Sequence, residues 1–390
     1  MKTLKVLPLA ALLVSGVWSC TPSGDTPQKT LSNLDPANFA DVYRGDTTAL
    51  YVLKNAAGAE ACITNFGGRL VSLMVPNKDG GMTDVVLGFD SIQAYYPENN
   101  QTDFGASIGR YANRINQGRF MLDGDEYQLP QNNFGHCLHG GTDMGTMGWQ
   151  YRVYDAEQTS DSTLVLSIVS PDGDNGFPGT VKATVKYELM SDDGLNVLDI
   201  AYSATTDKKT IINMTNHSYF NLGGDYENGV LGDTLFIAAD YYTPVDSTYM
   251  TLGTLEPVAG TPMDFTTPKT IGRDIAADNE QIRFGNGYDH NWVLNANDNE
   301  LVPQAALKSP VTGITMYMDT TEPGVQVYCG NFLDGTIKGK GGKAYKQRAG
   351  ICLETQHYPD SPNKPQWPST VLEPGDTYES NTSYFFAVEK

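Results

Sequence analysis

From about residue 40 onward, apolar and polar residues alternate in short runs separated by turn residues. In Thr184-Val185-Lys186-Tyr187-Glu188-Leu189 every second side chain is apolar, as in an antiparallel strand with one face buried and one wet. Runs of this kind predict strands at 61–64, 70–75, 84–88, 163–169, 181–189, 196–203 and 210–214. Others follow at 234–237, 290–294, 313–319, 324–328, 350–354 and 383–388. Turn clusters lie between them at 77–81, 171–179, 192–194 and 338–342. Helical periodicity is sparse, with room for a turn or two at 91–96 and 274–281. Strands never alternate with long helical periods, which argues against doubly wound and barrel α/β folds. No break in composition divides residues 40–390, so the pattern predicts an all-β fold, one large antiparallel β-sandwich with few short helices.

Composition sharpens this picture. The 40 Gly and 21 Pro are about one residue in six of 390, a density that rules out long helices as the main architecture. The 46 Asp and Glu outnumber 26 Lys and Arg, for a net charge of −20, which argues against nucleic acid or anionic lipid as partner. The first residues differ from the rest. Lys2 and Lys5 precede an apolar run from Val6 to Trp18 that ends at Ser19-Cys20, the pattern of a bacterial secretory signal of the lipoprotein type. A spanning helix needs about 20 apolar residues, more than this run provides. The expected layout is therefore a signal at 1–19 with Cys20 acylated, a flexible tether at 20–38 and one domain at 39–390. It places the protein outside the cytoplasm, in the periplasm or outer membrane, touching the membrane only through that anchor. Cys62, Cys137, Cys329 and Cys352 form no CxxC pair; disulfides are conceivable, and buried free thiols are the simpler expectation.

Five segments place titratable or polar groups among glycines and aromatics. They are Gly109-Arg110-Tyr111-Ala112-Asn113-Arg114-Ile115, Leu138-His139-Gly140-Gly141, Thr215-Asn216-His217-Ser218-Tyr219-Phe220-Asn221-Leu222, Gly287-Tyr288-Asp289-His290-Asn291-Trp292 and Cys352-Leu353-Glu354-Thr355-Gln356-His357-Tyr358-Pro359-Asp360. In this order and spacing, with Leu87-Gly88-Phe89-Asp90 and Leu372-Glu373-Pro374-Gly375 at either end, they resemble the aldose 1-epimerase (galactose mutarotase) family. The resemblance spans about residues 40–390 and implies a single β-supersandwich that interconverts the α and β anomers of free aldoses such as galactose or glucose. It assigns Glu354 as general base and His217 as general acid. Asn113, Arg114, His139, Asp289 and Gln326 become sugar-binding residues, with Tyr219 beside the sugar. Arg110 is expected to pair with a structural carboxylate, and His136, His290 and His357 to be scaffold.

The chemistry is consistent with those residue types. Opening a hemiacetal needs a base for the C1 hydroxyl proton and an acid for the ring oxygen. A carboxylate of pKa about 4.3 and an imidazole of about 6.5 can supply both without a cofactor. Metal-binding alternatives are weaker. His136-Cys137-Leu138-His139 and Glu354-Thr355-Gln356-His357 offer ligand types at short spacing, while Asp172-Gly173-Asp174-Asn175-Gly176 starts like a calcium loop and departs from the EF-hand pattern. Ca²⁺ through scattered carboxylates is the remaining cofactor expectation, and a monomer the expected state. Rival readings are a hexose-6-phosphate 1-epimerase, a non-catalytic sugar-binding lipoprotein and a two-carboxylate glycoside hydrolase.

Overall fold

The computed structural model describes residues 29–142, 147–296 and 302–388; the expected signal, Cys20 and most of the tether lie outside the described residues. Two antiparallel sheets dominate. The larger has nine strands in the order Asp155–Gln158, Thr163–Ser170, Val181–Asp192, Leu195–Thr206, Tyr378–Val388, Ile314–Thr320, Ala305–Lys308, Thr234–Ile237 and Lys269–Thr270. Its longest hairpin shows why the alternation is so legible. Val181, Ala183, Val185, Tyr187 and Leu189 point inward while the residues between them reach solvent. Asp193 and Gly194 close the hairpin with φ of 42° and 86°, the left-handed pair that two-residue turns need to match strand twist.

The second sheet has six strands in the order Tyr219–Phe220, Ile351–Gln356, Gly324–Tyr328, Asp289–Val293, Tyr241–Thr243 and Glu256–Pro257. Val325, Val327, Ile351, Leu353 and Trp292 from this sheet join Val185, Tyr187, Ile200, Met316 and Tyr384 from the larger one in a continuous apolar cluster. A four-stranded sheet, Leu50–Lys54, Glu60–Thr64, Arg69–Pro76 and Met82–Asp84, adds Ala61, Ile63, Leu70 and Leu73 to the same cluster. The fold is thus the expected antiparallel β-sandwich. Among the described residues, no helix is long and apolar enough to cross a membrane.

Differences from expectation are local. The strand expected at 84–88 ends at Asp84. Beyond it, Val85 N–H donates to Leu73 O and Leu87 N–H to Tyr219 O, so the segment staples the four- and six-stranded sheets together. Residues 91–96 make a single 3-10 turn, Ile92–Tyr95. The helix expected at 274–281 lies instead at Glu280–Phe284, because Asn279 caps it by accepting from the N–H groups of Gln281 and Ile282. Asp274 is occupied earlier, by Lys269 and Arg273.

Candidate active site

Sheet pleating builds half of the site. In Ile351–Gln356 the side chains of Ile351 and Leu353 enter the core, so Cys352 and Glu354 face the other way. In Gly324–Tyr328, Val325 and Val327 are core and Gln326 and Tyr328 face the same way as Glu354. Antiparallel register then sets Gln326 opposite Glu354, Tyr328 opposite both Cys352 and Asp289, and Tyr219 opposite Cys352. The diagonal contact between strands is a hydrogen bond, with Gln326 Nε2 donating to Asp289 Oδ1 at 2.7 Å.

Loops and a short strand supply the other half. Thr215–His217 pairs with Ala106–Ile108, and Gly105 N–H donates to His217 O at 3.0 Å. This brings His217 Nε2 to 3.4 Å from Glu354 Oε1 and its Nδ1 to 3.5 Å from Cys352 Sγ. Asn113 and His139 both adopt left-handed backbone, φ 62° and 52°, and bond each other reciprocally. Asn113 N–H donates to His139 Nδ1 and His139 N–H to Asn113 O, each at 3.2 Å. Non-glycine residues in this region store strain that surrounding contacts must hold. One such contact is Asn175, whose Nδ2 donates to the carbonyls of Gly140 and Gly141, both at 2.8 Å. Gly140 is itself required, since at φ +75° a Cβ would lie 2.4 Å from Gly109 O. The calcium-like Asp172–Gly176 loop therefore braces the His139 loop. Its carboxylates are engaged by protein cations, Asp174 by Arg152 and Asp172 by Lys208, each at 2.7 Å.

Asn113, Arg114, His139, His217, Tyr219, Asp289, Gln326 and Glu354 all line one pocket of about 170 Å³. Larger hollows of about 400 and 760 Å³ elsewhere contain none of the eight. Arg114 Nε donates to Asn133 Oδ1 at 3.1 Å and its guanidinium lies 4.9 Å over the Tyr249 ring. The pocket also contains Asp103, Asn133, Phe134, Leu138, Tyr328 and Phe332, which sequence reasoning missed. Tyr328 was within reach of the period-two rule, two residues beyond Gln326; nothing in the residues around Asp103 marks it.

The remaining sequence candidates lie outside this lining. Arg110 is structural, with a correction: its buried guanidinium bonds Pro178 O (2.7 Å), Gly179 O (2.9 Å) and Ser170 Oγ (2.7 Å) rather than a carboxylate. His357 Nδ1 is 2.6 Å from Glu322, His136 Nδ1 accepts from Gln117 N–H, and His290 is buried against Trp292. All four body cysteines are free and buried.

Burial dominates the electrostatics. It raises Glu354 well above the usual carboxylate value, with Asp289 and Asp103 adding to the effect and Arg114 opposing it. Burial likewise raises Asp289, against Arg114 and the Gln326 hydrogen bond. It lowers His217, with Asp103 opposing, and drives His139 well below 6.5, helped by His217 and Arg114. Burial thus raises the basicity of the Glu354 carboxylate and the acidity of a His217 imidazolium. Among the described residues, two groupings, Asp103–His139–His217 and His217–Cys352–Glu354, bring ligand-type atoms within 4.8 Å of one another. In the first, His139 Nδ1 accepts a hydrogen bond from Asn113 N–H, whereas a ligating His donates its other ring N–H.

A buried imidazole–carboxylate pair in a polar pocket, mounted on an antiparallel β-sandwich, is an arrangement suited to acid–base chemistry. The aldose 1-epimerase family profile matches residues 49–385. The chain is 40% identical to galactose mutarotase of Rattus norvegicus, over 84% of this chain and 90% of that protein. It is 38% identical to aldose 1-epimerase of Escherichia coli, over 88% of this chain and 97% of that one. The crystal structure of an aldose epimerase homologue from C. elegans superposes with TM-score 0.79 at 29% identity, covering 88% of this chain and all of that one. The chain belongs to the aldose 1-epimerase family.

Proposed function

We propose that this protein is an isomerase of hexose metabolism that interconverts the α and β anomers of free aldoses such as galactose and glucose. The observation that carries this reading, within the family the chain belongs to, is the buried His217 Nε2–Glu354 Oε1 approach of 3.4 Å at the floor of the polar pocket. Glu354 as carboxylate takes the C1 hydroxyl proton while His217 as imidazolium protonates the ring oxygen. The C1–O5 bond breaks to give the open aldehyde. After rotation about C1–C2, His217 takes the proton back and Glu354 returns one to O1, closing the ring on the other face. The pair holds one proton before opening and one after, so each half-reaction leaves it primed for the reverse. Burial supports the exchange: a raised carboxyl is the stronger base and a lowered imidazolium the stronger acid.

In this reading Asn113, Arg114, His139, Asp289 and Gln326 bind the sugar hydroxyls, with the Tyr219 ring beside the pyranose. Among the described residues, buried Glu354 Oε2 and Gln326 Oε1 have no partner, as suits groups that meet a ligand. A phosphorylated hexose would call for several Lys or Arg side chains, and Arg114 is the one such residue among the described lining residues. The reaction needs no cofactor; Ca²⁺ binding is a separate matter for calorimetry. The N-terminal pattern supports secretion and acylation at Cys20, hence a lipid-anchored protein of the periplasm or outer membrane. Palmitate labelling that persists in Cys20→Ser overturns the anchor. Polarimetry of fresh α-galactose and α-glucose tests the activity, and no acceleration over buffer sinks it.

A further inference from the structure

Asp103 belongs to none of the five motif segments, yet the fold builds it into the wall of the site. The stretch that follows it is bonded to the backbone of His217: Gly105 N–H donates to His217 O at 3.0 Å, and Ala106 stands opposite His217 in register. Behind it, fully buried Arg69 donates from Nη1 to the carbonyls of Thr102 and Phe104, both at 3.0 Å, and from Nη2 to Gln150 O at 2.7 Å. Asp103 therefore sits between two clamped carbonyls. A carboxylate oxygen of Asp103 and ring nitrogens of His139 and His217 all lie within 4.8 Å of one another, and its Oδ1 is buried without a hydrogen-bond partner among the described residues.

We propose that Asp103 is a positioning residue that holds His217 oriented and protonated for donation to the ring oxygen. This rests on the reading of His217 as general acid. The surroundings of His217 show why a second carboxylate is needed. From Ile351–Gln356 it faces Glu354 at 3.4 Å and Cys352 at 3.5 Å. The His139 ring lies 5.2 Å away, edge-on, and the Tyr219 and Tyr328 rings at 5.2 and 6.3 Å. Arg69 opposes a positive imidazole from farther off. Of these groups only Glu354 can balance an imidazolium, and its charge disappears when it takes the C1 proton. Asp103 is the second acidic side chain beside His217, and it takes no part in the proton exchange with the sugar. Burial works against the imidazolium, and Asp103 is the largest influence in the other direction.

The test is a pair of measurements on Asp103→Asn and Asp103→Glu in the full chain. One is the titration of His217 by ¹⁵N-histidine NMR without sugar, with the signal assigned through His217→Asn. The other is the pH profile of kcat by polarimetry. Loss of the anion is expected to move the His217 titration and the alkaline limb of kcat down by about one pH unit, tenfold less acid form above both values. KM is expected to change little, and Asp103→Glu to restore the profile. An unmoved His217 titration overturns the proposal, as does a uniform loss of kcat at every pH that glutamate does not rescue. If the wild-type protein shows no mutarotation while the His217 titration still shifts in Asp103→Asn, the epimerase reading falls and the Asp103–His217 coupling stands.

Discussion

Replacing Glu354 by Gln removes the proposed base while keeping the side chain's shape. Position 354 stays opposite Gln326 in the sheet, and Leu353 and Thr355 keep their places. A general base contributes roughly 10²–10⁴-fold, so kcat is expected to fall by that factor, about 3–5 kcal/mol in the barrier. Sugar affinity is expected to survive, because the amide still offers an oxygen and an N–H to a hydroxyl. Stability should move the opposite way from activity. In the folded chain Glu354 is buried and its carboxyl raised well above the usual value. Below the ordinary carboxylate pKa both states hold that proton, and the buried group costs nothing through charge. As pH rises, the unfolded chain releases the proton and the folded chain resists, so native stability is lost up to the folded pKa. The Gln variant escapes that loss, and its Tm should exceed that of wild type by a margin that grows from acid to neutral pH. Polarimetry, sugar titration and thermal melts at two pH values check all three expectations. A variant within tenfold of wild-type kcat refutes the assignment of the base. A variant that is inactive because it no longer folds refutes the structural reasoning.

Other expectations are independent of this one. Gly140→Ala should cost about 1–3 kcal/mol and loosen the His139 loop, through its left-handed backbone and the approach to Gly109 O; denaturant melts and KM report it. His357→Ala should destabilise by about 1–3 kcal/mol, since it removes the hydrogen-bond partner 2.6 Å from the buried Glu322 side chain; Tm measures this. Burial raises the thiols of Cys62, Cys137 and Cys329 to about 12 and Cys352 well above 9, so a thiol reagent at pH 8 should find them inert until denaturant is added. Rapid labelling of the native protein at any of the four contradicts their placement.

Reading of the chain was uneven for physical reasons. The hairpin Val181–Asp192/Leu195–Thr206 was plain because one face meets solvent and its sequence must alternate. Ile351–Gln356 is buried on both faces, so its polar face is marked by residue type rather than exposure. Arg110 was rightly separated from Arg114, though its partners proved to be carbonyls. The helix forms at Glu280–Phe284 rather than 274–281 because capping by Asn279 outweighs a weak periodicity.

Taken by itself, the order of residues determined the all-β class, most strand positions and the eight side chains that meet in the pocket. Strand periodicity is a local consequence of pleating, and motif residues are carried by identity and spacing. Only the tertiary structure decided what those side chains do to one another. The 3.4 Å approach of His217 to Glu354 depends on two different pairings, Thr215–His217 with Ala106–Ile108 and Ile351–Gln356 with Gly324–Tyr328. Asp103 enters by the first of these pairings, with no local pattern to mark it. The shifts of His217 and Glu354 follow from burial, a property of the packed whole that no stretch of sequence possesses alone.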